Sequence, residues 1–479
     1  MELFVIPLIF ALVAAFAPKN VVRYVGLLGA VASLVVTIVH AISFAPEATV
    51  SLVDPNYITS FGLTFKMGYD GMGLLMVILT NVMVTIILLA NLNQKIANER
   101  SFNAMVLLMQ FGLIGVFTAM DGIMFYIFWE LTLIPIFLIS WWYGAPERKQ
   151  VLVKFFIYTF VGSLAMLLSL MALGTYATDF SHASLVAVTL SAKAAFWVMG
   201  GFFLAFAIKI PLFPFHTWQP STYTVSPMAG TMLLSGLMLK MALFGMIRWM
   251  LPLAPEAKSE MTCLVITLGL IGIVYAAIIA IKQSDIKRVF AFASISHVGL
   301  IAAGIMLFTK DSLTASFIQI INHSLVAVGL FLAAGILENR LNTREFSQMG
   351  GVAKLAPKFA FWFAVIGFAS VSVPFTSGFI GEFLLLKGLY GYNWIVGLVA
   401  GTTLVFGAVY TLRAYQLSMY GSPKIEGFKD LTWNEMLAFF IISVIIVVLG
   451  VYPQVVIDFV GPSLDNLFSS MQASNTLVP

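Results

Sequence analysis

Apolar residues along this chain gather into long unbroken runs rather than into stripes. Fourteen such runs lie near 2–17, 24–44, 70–90, 102–120, 123–142, 153–176, 194–216, 227–250, 261–281, 289–308, 313–335, 359–389, 394–420 and 436–454. A helix that crosses a bilayer needs about 20 predominantly apolar residues, and one that is apolar all round must be buried in protein or lipid. The pattern predicts an all-α integral membrane protein of about fourteen spans. The polar stretches between runs are short, and none is long enough to hold a soluble domain.

Composition removes the soluble alternative. Hydrophobic residues make up 61% of the chain and charged residues 10%, with a mean hydropathy of +1.00; soluble domains carry about 25% charged residues. A net charge of +4 invites a nucleic-acid reading, but the basic residues are sorted by side. Of 25 Lys and Arg, 16 fall in loops after odd-numbered runs, and only Lys66, Lys193, Lys258 and Lys310 follow even-numbered ones. The remaining five (Lys209, Lys240, Arg248, Lys387 and Arg413) lie within runs. By the positive-inside rule the odd loops are cytoplasmic and both termini face outward. Glu2, with no basic stretch around it, argues against a cleavable signal peptide.

Polar residues inside the runs carry the functional information. Glu130, Lys209, Lys240, His297, His323 and Glu382 each interrupt a separate run, where a charge costs from roughly 3 kcal/mol upward. Such a series reads as a proton path. Ser316, Gln319 and His323 share one helix face, and Ser294 and Ser296 flank His297 with hydroxyls. The plain alternative is that these are polar stitches between helices, each worth about 0.6 kcal/mol. Histidine favours the relay because its charge changes near neutral pH.

Three of these residues have a proline nearby in the same run. Pro135, Pro211 and Pro374 leave the carbonyls of Leu131, Ala207 and Ser370 without their helical donors. In lipid, a break persists only where it faces protein or water, although a kink can also serve packing alone. The spacing suggests a duplication: Pro211 to Pro374 is 163 residues, Glu130 to His297 is 167, and Lys209 to Glu382 is 173. Each pair is five runs apart, so two copies would be inverted across the membrane. This predicts two five-helix repeats, helices 4–8 in 101–250 and 9–13 in 251–420, with helices 7 and 12 broken. A three-helix segment, 1–100, precedes them and 421–479 follows.

Several chemistries are disfavoured. A single cysteine, Cys263, supports neither an iron-sulfur cluster nor an internal disulfide. His297 and His323 lie mid-helix where a haem would need them, but no CxxCH attachment motif exists. Phosphate-cradling glycine loops are not evident, so nucleotide chemistry falls to partners. Arg413 and Lys387 read as snorkelling or paired within the bundle, Arg248 as an interfacial anchor, and Trp141, Trp142 and Tyr143 as an aromatic belt.

The stretches FYIFWELTLIPIFLISWWYG (125–144), FAIKIPLFPFHTWQPSTYTVSP (206–227), LMLKMALFGMIRW (237–249), FASISHVGLIAAG (292–304), INHSLVAVGLFLAAGILENRLNTREFSQMGG (321–351) and VPFTSGFIGEF (373–383) resemble the antiporter-like membrane subunits of respiratory complex I. WELTLIP, the acidic residue in the broken twelfth helix and the lack of a long lateral helix are most similar to the chain M branch, mitochondrial subunit 4. The resemblance implies that Glu130 and Lys209 form an input pair, Lys240 a central relay, His297 and His323 a bridge, and Glu382 the exit group. It implies no cofactor in this chain, with NADH, FMN, iron-sulfur clusters and quinone held by partner subunits. It also implies homologous subunits on either side, in a bacterial inner membrane. A charge about 4 Å away is worth about 4 kcal/mol at an effective dielectric of 20, so moving Glu130 towards or away from Lys209 would load or unload the lysine. The alternatives are a subunit of a multi-subunit sodium/proton antiporter or membrane-bound hydrogenase, a permanent structural ion pair, or a passive membrane scaffold.

Overall fold

The structure, a computed structural model, describes residues 2–53, 65–424 and 427–475 and is nearly all helical. The helices are α1 (Glu2–Phe16), α2 (Val22–Ile42), α3 (Gly71–Ala90), α4 (Glu99–Thr118), α5 (Gly122–Tyr143), α6 (Arg148–Gly174), α7 (His182–Val186), α8 (Ala192–Lys209) and α9 (Gln219–Val225). They continue as α10 (Met228–Leu253), α11 (Lys258–Lys282), α12 (Ile286–Leu307), α13 (Lys310–Leu341), α14 (Val352–Leu355), α15 (Pro357–Ser370), α16 (Ser377–Tyr392), α17 (Trp394–Met419), α18 (Trp433–Val451) and α19 (Gln454–Asn475). Among the described residues 12 helices are long and apolar enough to cross a membrane, and α1 and α15 are shorter apolar helices. Between α2 and α3 a hairpin pairs β1 (Val50–Val53) with β2 (Met67–Tyr69); within the segment 45–68, residues 54–64 lie outside the described residues, as does the Lys258 side chain.

Helix starts follow side-chain capping. Asp70, Asp121 and Asp285 accept backbone N–H bonds at the heads of α3, α5 and α12, and Thr309 with Ser312 closes a capping box on α13. The two lateral breaks fall where proline predicts them. In the first, between α8 and α9, the Leu212 N–H takes the Ala207 carbonyl at 2.8 Å, and Trp218 Nε1 donates to the Ile208 carbonyl at 2.9 Å. In the second, α15 ends at Ser370 and α16 resumes at Ser377. Pro135, by contrast, sits inside an uninterrupted α5.

The helices are layered. The apolar cores of α10, α12 and α13 are wholly buried, whereas those of α2, α6 and α17 are mostly open to whatever surrounds the chain. Lys240, His297 and His323 belong to the three innermost helices, so water reaches them only through the protein. Within α10 the helix widens twice into π-turns, at Leu234–Met238 and at Met246–Met250.

Loops sort onto two faces as the run count requires. On the odd face Arg23 pairs with Glu99 at 2.5 Å, Arg340 with Glu435 at 2.5 Å, and Arg344 with Asp285 at 3.1 Å and Glu147 at 3.6 Å. On the even face Lys66 meets Asp179 at 3.9 Å and Lys310 meets Asp465 at 2.7 Å. Among the described residues no ion pair joins the two faces. Two features depart from expectation. The tail beyond the last run forms α19, which docks on α3 through a 2.9 Å bond from the Gly71 N–H to Ser463 Oγ. Arg248 is an internal residue rather than an interfacial anchor, because the cap residue Asp70 supplies its counter-charge at 2.5 Å. His182 Nε2 adds a 2.8 Å contact to the Arg248 carbonyl. Burial, reinforced by the Arg248 charge, lowers the His182 imidazole to about 4.

Candidate functional site

Lys240, His323, His297 and Glu382 come together in the centre of the bundle, each buried. Lys240 Nζ donates to the Ser235 carbonyl within the first π-turn and contacts His323 Nδ1 at 2.8 Å. The other nitrogen of that ring, Nε2, is 3.1 Å from Ser294 Oγ. Ser294 stands one turn before His297 on α12. His297 Nδ1 lies 2.8 Å from Glu382 Oε1, and its Nε2 lies 3.0 Å from the Tyr410 hydroxyl.

An amide chain extends the cluster. Ser377 Oγ donates to Asn322 Oδ1 at 2.8 Å, Asn322 Nδ2 to Gln319 Oε1 at 3.4 Å, and Gln319 Nε2 to Glu382 Oε1 at 3.0 Å. Every donor in that chain points towards the carboxylate, which is thereby marked as an acceptor. The two histidine rings are 6.3 Å apart between centroids, with no direct hydrogen bond between them. The cluster is therefore two hydrogen-bonded halves that face each other across one gap.

Glu130 and Lys209 are arranged differently. Among the described residues neither has an ion-pair partner within 4.0 Å; Glu130 is half-buried on α5 beside Ser163 of α6 and interacts with Lys209 through space. Lys209 is buried at the end of α8, its Nζ 5.1 Å from the centre of the Trp129 ring. Phe206, one turn earlier, rests on Trp129 at 5.5 Å, and Phe125 packs against both. An ammonium over an indole face is held by the ring quadrupole without a hydrogen bond. Lys240, by contrast, is fixed by two hydrogen bonds.

Cavities open towards both faces. One of about 440 Å³ on the odd face is lined by Gln94, Tyr143, Ser226, Met228, Glu338 and Asn339. Ser226 continues inward through a 2.9 Å contact with Ser140, and its carbonyl takes the buried Lys287 at 3.1 Å. The other, of about 580 Å³ on the even face, is lined by Thr309, Ser312, Leu384, Lys387 and Gly388 among others. Among the described residues no group of three or more His, Cys, Asp or Glu is placed to hold a metal ion. Arg413 donates to the Gln283 carbonyl at 3.1 Å beside the Phe346 ring, and Lys387 is exposed on the rim of the larger cavity.

The sequence singled out all four residues of the central cluster together with Gln319 and Ser294. Tyr410, Asn322 and Ser377 escaped it. A tyrosine in an apolar run reads as an aromatic filler, and only its neighbours Thr411 and Arg413 hinted at a polar face on α17.

Comparison with known proteins gives one consistent answer. Residues 119–407 match the family described as NADH:quinone oxidoreductase/Mrp antiporter, TM. NADH-quinone oxidoreductase subunit M of Rickettsia typhi is 34% identical over 456 residues, which is 93% of this chain and 92% of that one. NADH-ubiquinone oxidoreductase chain 4 of Arabidopsis thaliana is 32% identical over 96% of this chain and 95% of its own. Among solved structures, a chain of respiratory complex I from Thermus thermophilus with bound NADH superposes with a TM-score of 0.90 at 30% identity, covering 98% of this chain and 99% of that one. A chain of the Mrp complex from Dietzia superposes with a TM-score of 0.87 over 98% of each chain, but at 19% identity it speaks to the fold alone. The chain belongs to the NADH:quinone oxidoreductase/Mrp antiporter family of membrane subunits.

Proposed function

We propose that this chain is a proton-translocating subunit of the membrane arm of NADH:quinone oxidoreductase, driven by redox chemistry in other subunits. The observation that carries this is the buried line Lys240, His323, Ser294, His297, Glu382, in which groups able to take and give protons stand within hydrogen-bond reach save at one place. Buried ionisable groups are expensive in a membrane and mark ion routes. Relatives sharing about a third of the residues over nearly the whole length bear the names of complex I subunits, whereas the likeness to Mrp antiporters is remote in sequence.

In this reading Glu130 and Lys209 are the input pair. Their present separation leaves room for approach, and closing to about 4 Å would change the electrostatic energy by about 4 kcal/mol at an effective dielectric of 20. That is enough to load or unload the lysine. A permanent structural pair would already be in contact. Protons then pass from Lys240 through the two histidines to Glu382, which releases them. The odd face is cytoplasmic and both termini lie outside, as the basic loops require. The repeats 101–250 and 251–420 are inverted copies, supported by the matching breaks at 210–218 and 371–376. The chain works between homologous membrane-arm subunits, and NADH, FMN, iron-sulfur clusters and quinone belong to partners.

The test is proton uptake per electron by the assembled complex in proteoliposomes carrying Glu130→Gln or Lys209→Ala. The expected result is intact assembly with reduced uptake. Unchanged uptake in both would refute the input pair, and failure of both to assemble would favour the structural ion pair.

A further inference from the structure

Tyr410 occupies the one ring nitrogen that an incoming proton would need. Glu382 Oε1 already accepts from the Gln319 amide, whose orientation is fixed by Asn322 and Ser377. The 2.8 Å contact from His297 to the same oxygen therefore places a proton on Nδ1. A neutral imidazole with its proton on Nδ1 has only Nε2 left as an acceptor. The Tyr410 hydroxyl donates to that atom at 3.0 Å, from a side chain 1% exposed on α17.

The other half of the cluster is poised against the same atom. With Lys240 donating to Nδ1 of His323, that ring carries its proton on Nε2, facing Ser294 at 3.1 Å. Ser294 stands one turn before His297 on α12, and Nε2 is the atom of that ring left to accept a proton. We propose that Tyr410 is a positioning residue that gates the relay: while its hydroxyl caps His297 Nε2, the two halves are insulated, and its withdrawal connects them. When it withdraws, a proton arriving through Ser294 binds Nε2 and the Nδ1 proton leaves to the Glu382 carboxylate. The imidazole is neutral again and one proton has crossed the ring, with no bond other than N–H and O–H made or broken. This rests on the proton-translocating role proposed above.

The device explains an otherwise wasteful geometry. A relay joined throughout would let protons run back down the membrane gradient whenever the redox subunits are idle. One hydroxyl on a helix separate from both histidines lets movement of α17 decide when the path exists.

The test uses the whole complex in proteoliposomes, reading NADH-driven quinone reduction, protons taken up per electron, and the passive decay of an imposed pH gradient. Tyr410→Phe keeps the ring and removes the donor. The expected result is quinone reduction close to the parent, fewer protons per electron, and a several-fold faster passive decay. A residue that only packs would not raise the leak. Incorporation of 3,5-difluorotyrosine in place of Tyr410, a stronger donor of similar size, should hold the gradient at least as well as the parent. An unchanged leak and uptake in Y410F overturn the proposal, as does loss of assembly in that variant, which would assign Tyr410 to packing. Lys240→Met separates the two layers of argument: if it abolishes uptake while Y410F stays tight, only the gate falls. If Lys240→Met leaves uptake intact, the relay itself falls.

Discussion

Two groups of ionisable side chains in this bundle are held in opposite ways. Around α10, α12 and α13 each ionisable side chain is clasped by hydrogen bonds: Lys240 by Ser235 and His323, Glu382 by His297 and Gln319. Around α5 and α8, Glu130 has Ser163 as its hydrogen-bond partner and meets Lys209 only through space, while Lys209 rests on Trp129. A clasped group keeps its geometry and can pass a proton over a fixed distance. An unclasped pair can change its separation, and so can convert a distant electrostatic change into a local one. One group is built as a conductor and the other as a lever.

The largest expected contrast is between Lys240→Met and Lys209→Met. Both should cut coupled proton uptake about tenfold or more, equivalent to about 1.4 kcal/mol in a barrier. Only Lys240→Met strands a buried carbonyl and an imidazole, so it should lower the unfolding free energy of the purified complex by about 1–3 kcal/mol. Lys209→Met should leave stability unchanged or raise it, since a buried charge is replaced by an apolar chain. Equal destabilisation of the two variants in thermal unfolding would erase the distinction.

A smaller effect is expected from crowding each group. A Cβ on Gly381 would lie 2.5 Å from Gln319 Oε1, and one on Gly245 would lie 2.7 Å from the Phe206 ring. Overpacking costs about 1–3 kcal/mol in either place. Gly381→Ala should also loosen Gln319 from Glu382 and reduce uptake, whereas Gly245→Ala should shift the aromatic bed of Lys209. Proton uptake measured alongside the unfolding midpoint checks both.

The smallest effect lies outside the spans. His182 is held at about 4 when folded, against 6.5 unperturbed, so the folded protein resists taking the proton that the unfolded chain accepts. Its contribution is fully present above pH 6.5 and is lost as pH falls towards 4. His182→Gln should flatten the acid limb of the stability profile between those values, while proton uptake at neutral pH stays level. A profile of the same steepness in the variant would assign the acid sensitivity to other groups.

Much of this was legible in the chain itself. Spans are visible because lipid accepts only backbone that satisfies its own hydrogen bonds, which forces long apolar runs. Lys240, His297, His323 and Glu382 stand out because each is a charge bearer in such a run. Proline located the breaks at 210–218 and 371–376, yet α5 runs uninterrupted through Pro135, because whether a proline ends a helix depends on what packs around it. Asp70 was hidden because its partner Arg248 lies 178 residues away. Tyr410 and Asn322 were hidden because neutral polar groups cost little to bury once bonded, so the sequence around them shows no strain. Helix α19 was missed for a related reason: its mixed polar and apolar residues make a poor span, and its apolar side finds a place only once α3 and α13 are folded beside it.

The π-turn at Leu234–Met238 sets the heading of everything after it on α10. A turn that holds one extra residue rotates the following side chains by about 100° relative to a regular helix, and Lys240 is only two positions beyond it. Excising a single residue there would keep the length of the span almost constant yet swing the ammonium around the helix axis, off the seam with α13. Composition, hydropathy and the count of charges would be the same to within one residue, and the wire would be cut.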